Sequence, residues 1–128
     1  AMHWRGQSKD MNSKAVYGDV VSDVISELQE RISAALDAGI TAENLIIDPG
    51  LGFAKDADHN WAIIDAIDQF VALGYPVLVG ASRKRFLGGD TPDEREQATI
   101  DLTKRLAPTG VWAVRVHSVK PHKEVLAV

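Results

Sequence analysis

The sequence predicts an α/β chain made of parallel βαβ units, on two observations. Short apolar runs at 45–47 (LII), 76–80 (PVLVG) and 111–116 (VWAVRV) alternate with long amphipathic segments. A strand buried on both faces and a helix covering it leave that pattern. The clean strands begin near Leu45, Val77 and Val111, one per 32–34 residues, and eight such units make the roughly 250 residues of a parallel (β/α)8 TIM barrel. The 128 residues here hold about three and a half units. A small open three-layer sheet is the other architecture this count permits.

The elements follow in order. Residues 1–6 (AMHWRG) read as the tail of a strand, with Arg5 and Gly6 turning away, and 7–18 as a polar loop. Residues 19–38 form an amphipathic helix, because Val20, Val24, Leu28, Ile32 and Leu36 recur every fourth position. Asp19 or Ser22 caps its start and Gly39 stands where a terminating glycine belongs. After the strand at 45–47, Asp48-Pro49-Gly50 stops the ladder and turns the chain.

A second helix is expected over 60–73, capped by Asp58 or Asn60, with Ile63, Ile64, Ile67, Phe70 and Val71 as its buried stripe. Pro76 is tolerated as the first residue of the next strand. A cationic turn, ASRKRFL at 81–87, follows it. Thr91 or Asp90 caps a third helix at 93–106, with Pro92 at its start and Ala98, Leu102 and Leu106 inside. Residues 108–110 (PTG) break it, the strand at 111–116 follows, and 119–128 read as a last helix.

Composition narrows the function classes. The chain is 45% hydrophobic and 25% charged with a formal net charge of −4, a globular make-up for one domain at most. No Lys/Arg run resembles a nucleic-acid footprint. There is no apolar stretch of the ~18 residues a membrane span requires, so nucleic-acid and membrane partners are not expected and the cytoplasm is. With no cysteine there is neither a disulfide nor a thiolate metal site.

The polar residues gather at strand ends. Asp48 ends one strand, Ser82, Arg83 and Lys84 follow the next, and Arg115 with His117 ends the third, while His3 and Arg5 end the first remnant. All fall at the carboxyl ends of parallel strands, where barrels and open sheets alike bind ligands. A carboxylate facing several cations suits an anionic ligand that also has a donor edge. A guanidinium in an apolar strand needs a partner or a wet cavity, and an Asp48–Arg115 ion pair without any ligand is the plainer alternative.

Together DPGLGFAK at 48–55, HNW at 59–61, VLVGASRK at 77–84 and VRVH at 114–117 resemble the dihydropteroate synthase family of pterin-binding enzymes. MHWRG at 2–6 is similar to the end of that family's fifth barrel strand. The resemblance covers the carboxyl-terminal half of a barrel, and it implies condensation of 6-hydroxymethyl-7,8-dihydropterin diphosphate with p-aminobenzoate, releasing diphosphate. It further implies a homodimer in the complete enzyme, a sulfonamide target, and a magnesium ion whose Asn ligand belongs to the missing amino-terminal half.

Site roles carried over by the resemblance are these. Asp48 accepts from the pterin's amino edge, Lys84 donates to its carbonyl side, and Arg115 lies over the ring and reaches phosphate. His117 binds the leaving diphosphate, while Phe53 and Gly52 shape the p-aminobenzoate site. Many family members have Ser where this chain has Arg85, so Arg85 either meets the p-aminobenzoate carboxylate or points to solvent. Two other readings remain open at this point: a pterin-binding methyltransferase domain, and a non-catalytic half-barrel that only associates. The expectation for residues 1–128 is one part of a single longer barrel domain.

Overall fold

In the computed structural model of the chain, which describes residues 1–5 and 17–126, Asp19 opens the first helix. Its carboxylate accepts from Ser22 N at 3.2 Å and α1 runs Val20–Asp37. Val24, Leu28 and Ile32, each four residues apart, are buried along one face. Gly39 ends the helix at φ 104°, in the left-handed region where glycine is unstrained. The loop expected at 7–18 lies almost wholly outside the described residues.

The second helix departs from expectation. It begins earlier, at α2 Ala57–Asp65, and a break at Ala66 separates it from α3 Ile67–Val71. Asp56, not Asp58 or Asn60, caps it: Asp56 accepts from His59 N at 2.9 Å, while His59 Nδ1 accepts from Asp56 N at 3.2 Å. Asn60 is committed elsewhere, to the loop that precedes the helix. At Ala66 the backbone leaves helical geometry (φ −107°, ψ 22°) and its N–H turns to the carbonyls of Ala62, Ile63 and Ile64. Ile63, Ile64, Ile67 and Phe70 stay buried across the break.

The strand β1 is Leu78–Val79. Thr91 then accepts from Glu94 N at 3.2 Å and α4 runs Pro92–Leu106, with proline in its first turn. Leu102 and Leu106 are buried as expected, but Ala98 is only half-buried and Thr99 and Thr103 go inside instead. Their hydroxyls are all used by partners. The strand β2 is Ala113–Val114, shorter than the apolar run around it, and α5 spans Val119–Leu126 with His122 buried.

Leu78 pairs with Ala113 and Val79 with Val114, in parallel. Parallel bridges Ile47↔Val77 and Met2↔Asp48 add two more segments, tied by His3 N→Asp48 O (2.9 Å), Ile47 N→Pro76 O (2.9 Å) and Arg115 N→Val79 O (2.9 Å). Four segments thus lie side by side in sequence order. A barrel wall has that order, and a doubly wound sheet reverses it.

Alternation sorts the wall's faces. Ile47, Val77 and Val79 join Val24, Leu28, Phe70, Leu102 and Leu106 in one core beneath the helices. Ile46 and Leu78 lie on the other face, Ile46 exposed and Leu78 half-buried, and that face also carries the site.

Candidate functional site

The loop after Asp48 is built before it binds anything. Asp48 Oδ1 accepts from Gly50 N at 2.8 Å, which closes the turn on its own carboxylate. Gly50 takes φ 71°, and a Cβ there would lie 1.9 Å from the His3 carbonyl oxygen, so no other residue fits. Lys55 folds back beneath the loop and donates to Gly50 O (2.9 Å), Phe53 O (2.7 Å) and His3 Nδ1 (2.8 Å). Asn60 completes the support, accepting from Gly52 N and donating to Asp56 O, both at 2.8 Å. Lys55 and Asn60 lie within motifs that the sequence singles out, yet their supporting role was not anticipated.

Burial sets the titration of this support. Lys55 is pushed down to about 7, first by desolvation and against the pull of Asp48. His3 falls to about 4, first by burial and then by the Lys55 charge beside it. Because Lys55 donates to Nδ1, His3 carries its proton on Nε2, 3.7 Å from Glu27 Oε1. Both folded values lie below the unfolded ones, so the unfolded chain holds more protons at pH 4–6.5 (His3) and at pH 7–10.5 (Lys55). Stability therefore rises with pH through both windows. Thermal unfolding midpoints across pH 4–9 check this: a fall through the lower window would place the His3 proton wrongly.

Two of the strand-end cations, Arg115 and Lys84, meet Asp48 or its loop. Arg115 Nη1 approaches Asp48 Oδ2 at 3.4 Å, with Asp48 buried and the Arg115 side chain 54% exposed. That contact is long and open, leaving one face of the guanidinium to a ligand. Gly80 makes the placement possible, since a Cβ there would lie 2.3 Å from Arg115 Nη2. Lys84 donates to Leu51 O and sits 4.7 Å above the Phe53 ring centroid. Its pKa falls to about 8, chiefly from burial, opposed by Asp48 and helped by Arg115.

Ser82 holds His117 through two contacts. The His117 backbone N–H donates to Ser82 Oγ at 3.0 Å, and the same hydroxyl lies 2.6 Å from His117 Nδ1. The two contacts hold the ring by its Nδ1 side and leave Nε2 clear of Ser82.

Two recesses open between these groups. The larger, about 590 Å³, lies among Gly52, Phe53, Asn60, Lys84, Arg85 and Phe86, with Trp61 edge-on to Phe86 at 5.6 Å. Arg85 stands exposed on its rim, on a short 3-10 turn. The smaller, about 140 Å³, is bounded by Gly80, Ser82, Lys84, Arg115 and His117. Lys84 borders both. A flat acid fits the aromatic recess with cations at its mouth, and a second anion fits the smaller one. Among the described residues no group of three or more His, Cys, Asp or Glu is placed to hold a metal ion.

A parallel α/β wall carrying its charged groups at the strand ends is the architecture of a barrel-type enzyme. The family described as "Pterin binding enzyme" matches residues 1–117, and the chain belongs to that family. Within it, the chain is 44% identical over 137 residues to a dihydropteroate synthase of Mycobacterium leprae (strain TN), covering 99% of this chain and 48% of that protein. A Streptococcus pyogenes dihydropteroate synthase is 45% identical over 118 residues, covering 88% and 44%.

The Thermus thermophilus enzyme solved in complex with 4-aminobenzoate superposes with a TM-score of 0.91 at 38% identity, over 98% of this chain and 50% of that one. The Xanthomonas albilineans enzyme in complex with 7,8-dihydropteroate gives 0.87 at 35%, over 98% and 46%. The chain spans about half the length of the relatives it matches. No described helix is long and apolar enough to cross a membrane.

Proposed function

We propose that residues 1–128 are the carboxyl-terminal half of a single dihydropteroate synthase barrel, a cytoplasmic enzyme of folate biosynthesis. The complete protein joins 6-hydroxymethyl-7,8-dihydropterin diphosphate to p-aminobenzoate. The observation that carries this reading is the shared position of Lys84, which borders an aromatic recess on one side and the Asp48–Arg115–His117 cluster on the other.

In this reading the pterin lies across the smaller recess. Asp48 accepts from its amino and ring N–H edge, a charge-assisted pairing, while Lys84 donates to its carbonyl side. The free face of Arg115 stacks on the ring, and its other N–H groups meet phosphate. His117 Nε2–H donates to the same diphosphate. The p-aminobenzoate ring lies by Phe53 over Gly52, with Arg85 at its carboxylate, and a sulfonamide competes there. The methylene–oxygen bond breaks and its electron pair leaves with diphosphate. The aniline nitrogen then bonds to the methylene carbon and loses a proton. Positioning and stabilisation of leaving-group charge are the protein's contributions, and no protein nucleophile is involved. Magnesium, when bound to residues outside this chain, adds charge at the diphosphate. The complete enzyme is a homodimer in this reading.

Diphosphate release by the full-length protein, from the pterin diphosphate and p-aminobenzoate together, tests the reading. Release is expected, and its absence would overturn it. Arg115→Lys keeps the charge but loses the flat two-sided contact. We expect kcat/KM to fall about tenfold, about 1.4 kcal/mol of transition-state stabilisation. His117→Ala weakens inhibition by free diphosphate in the same assay. Parental rates in both variants would make the cluster structural.

A further inference from the structure

Arg83 lines the larger recess and takes φ 57°, a left-handed conformation that a long side chain rarely adopts. Its polar groups are held on four sides. Its N–H donates to Thr99 Oγ1 at 3.0 Å and its carbonyl accepts from Arg95 Nε at 2.9 Å. Its side chain donates from Nε to Glu96 Oε2 and from Nη2 to Ser118 Oγ, each at 2.9 Å. A strained residue persists only where its surroundings over-determine it.

Glu96 is the hub of that restraint. Its side chain is 15% exposed, and its second oxygen accepts from His122 Nε2 at 3.2 Å. His122, almost fully buried on α5, accepts in turn from the Thr103 hydroxyl at 2.7 Å. Glu96 therefore ties the turn after β1 to α5. Lys84 is the residue after Arg83, and His117 the residue before Ser118.

We infer that Glu96 is a positioning residue for the proposed synthase reaction: it locks Arg83 into its left-handed turn and so fixes where Lys84 and His117 present their N–H groups. This rests on the reading of Lys84 and His117 given above. Arg83 lines the larger recess with its charge already matched by Glu96.

The test follows the Lys84 13Cε resonance against pH in the full-length protein, assigned by its loss in Lys84→Arg. The parent titrates near the depressed value of about 8. In Glu96→Ala the turn relaxes, Lys84 reaches water, and its titration climbs toward the ordinary lysine value of about 10.4. A carboxylate acting through charge alone does the opposite, because its removal lowers a nearby lysine. An unchanged or lowered Lys84 in Glu96→Ala overturns the inference.

Glu96→Gln restores the parental titration, since the amide oxygen accepts from Arg83 and its NH2 donates to the other His122 tautomer. A Gln variant that titrates like Ala also overturns it. Glu96→Asp keeps the charge but shortens the reach to Arg83 and His122, and gives a smaller rise. It carries the test if Glu96→Ala does not fold, and the absence of a rise there overturns the inference. Turnover is read in parallel: kcat falls about tenfold in Glu96→Ala and returns in Glu96→Gln. A parent that releases no diphosphate counts against the synthase reading only, while the lysine titration decides Glu96 independently.

Discussion

Replacing Asp48 by Ala in the full-length protein is expected to weaken binding of a pterin analogue by about 1.5–3 kcal/mol, roughly 10- to 150-fold. The cost comes from unpaired donors. In the proposed complex the pterin's amino and ring N–H groups point at Asp48 from inside a recess, where water cannot replace a lost acceptor at full strength. Within the chain, Gly50 N loses its 2.8 Å partner as well. The turn still has Lys55 and Asn60 beneath it, so the loop is expected to keep its shape. Affinity for p-aminobenzoate, bound on the far side of Lys84, should change much less. Calorimetric titration of both ligands checks this, and a pterin affinity equal to the parent's removes Asp48 from the site.

The sequence reading succeeded where one physical signal acted alone. Asp19 before an unbroken four-residue apolar repeat leaves little choice for α1, and Thr91-Pro92 does the same for α4. The break at Ala66 was invisible because Ile63, Ile64, Ile67 and Phe70 all reach the core on both sides of it, so hydrophobicity carries no mark of the interruption. The cap fell on Asp56 because Asn60 is spent on Gly52 and the Asp56 carbonyl, a tertiary demand that propensity does not encode. Thr99 and Thr103 displaced Ala98 from the interior for a related reason. Each buried hydroxyl has a partner, Arg83 for one and His122 for the other, and a satisfied hydroxyl tolerates burial.

Of the site, the strand-end residues were legible because parallel strands bring their carboxyl ends to one edge whatever the details. The restraints behind them were not. Lys55, Asn60 and Glu96 each reach a partner between 8 and 52 positions away in sequence, and only the folded chain brings those partners together.

The 128-residue chain on its own is expected to show no synthase turnover and to self-associate. Among the described residues, the Met2 segment pairs only with the Asp48 segment and β2 only with β1, which leaves two sheet edges able to recruit another strand. The face of the sheet turned away from the helices carries Ile46, 37% exposed, beside the charged cluster. A barrel covers that face with the side chains of opposite strands. Trp4 and Trp112 add exposed apolar area, at 50% and 60%. The relatives it resembles are about twice as long, and in the proposed reading their other half supplies the remaining pterin contacts and the magnesium ligand. Lys84, Arg115 and His117 would hold diphosphate on one side only. Sedimentation velocity of the purified chain, run beside the diphosphate-release assay, decides the matter. A compact, active monomer would mean that this half already holds a complete site.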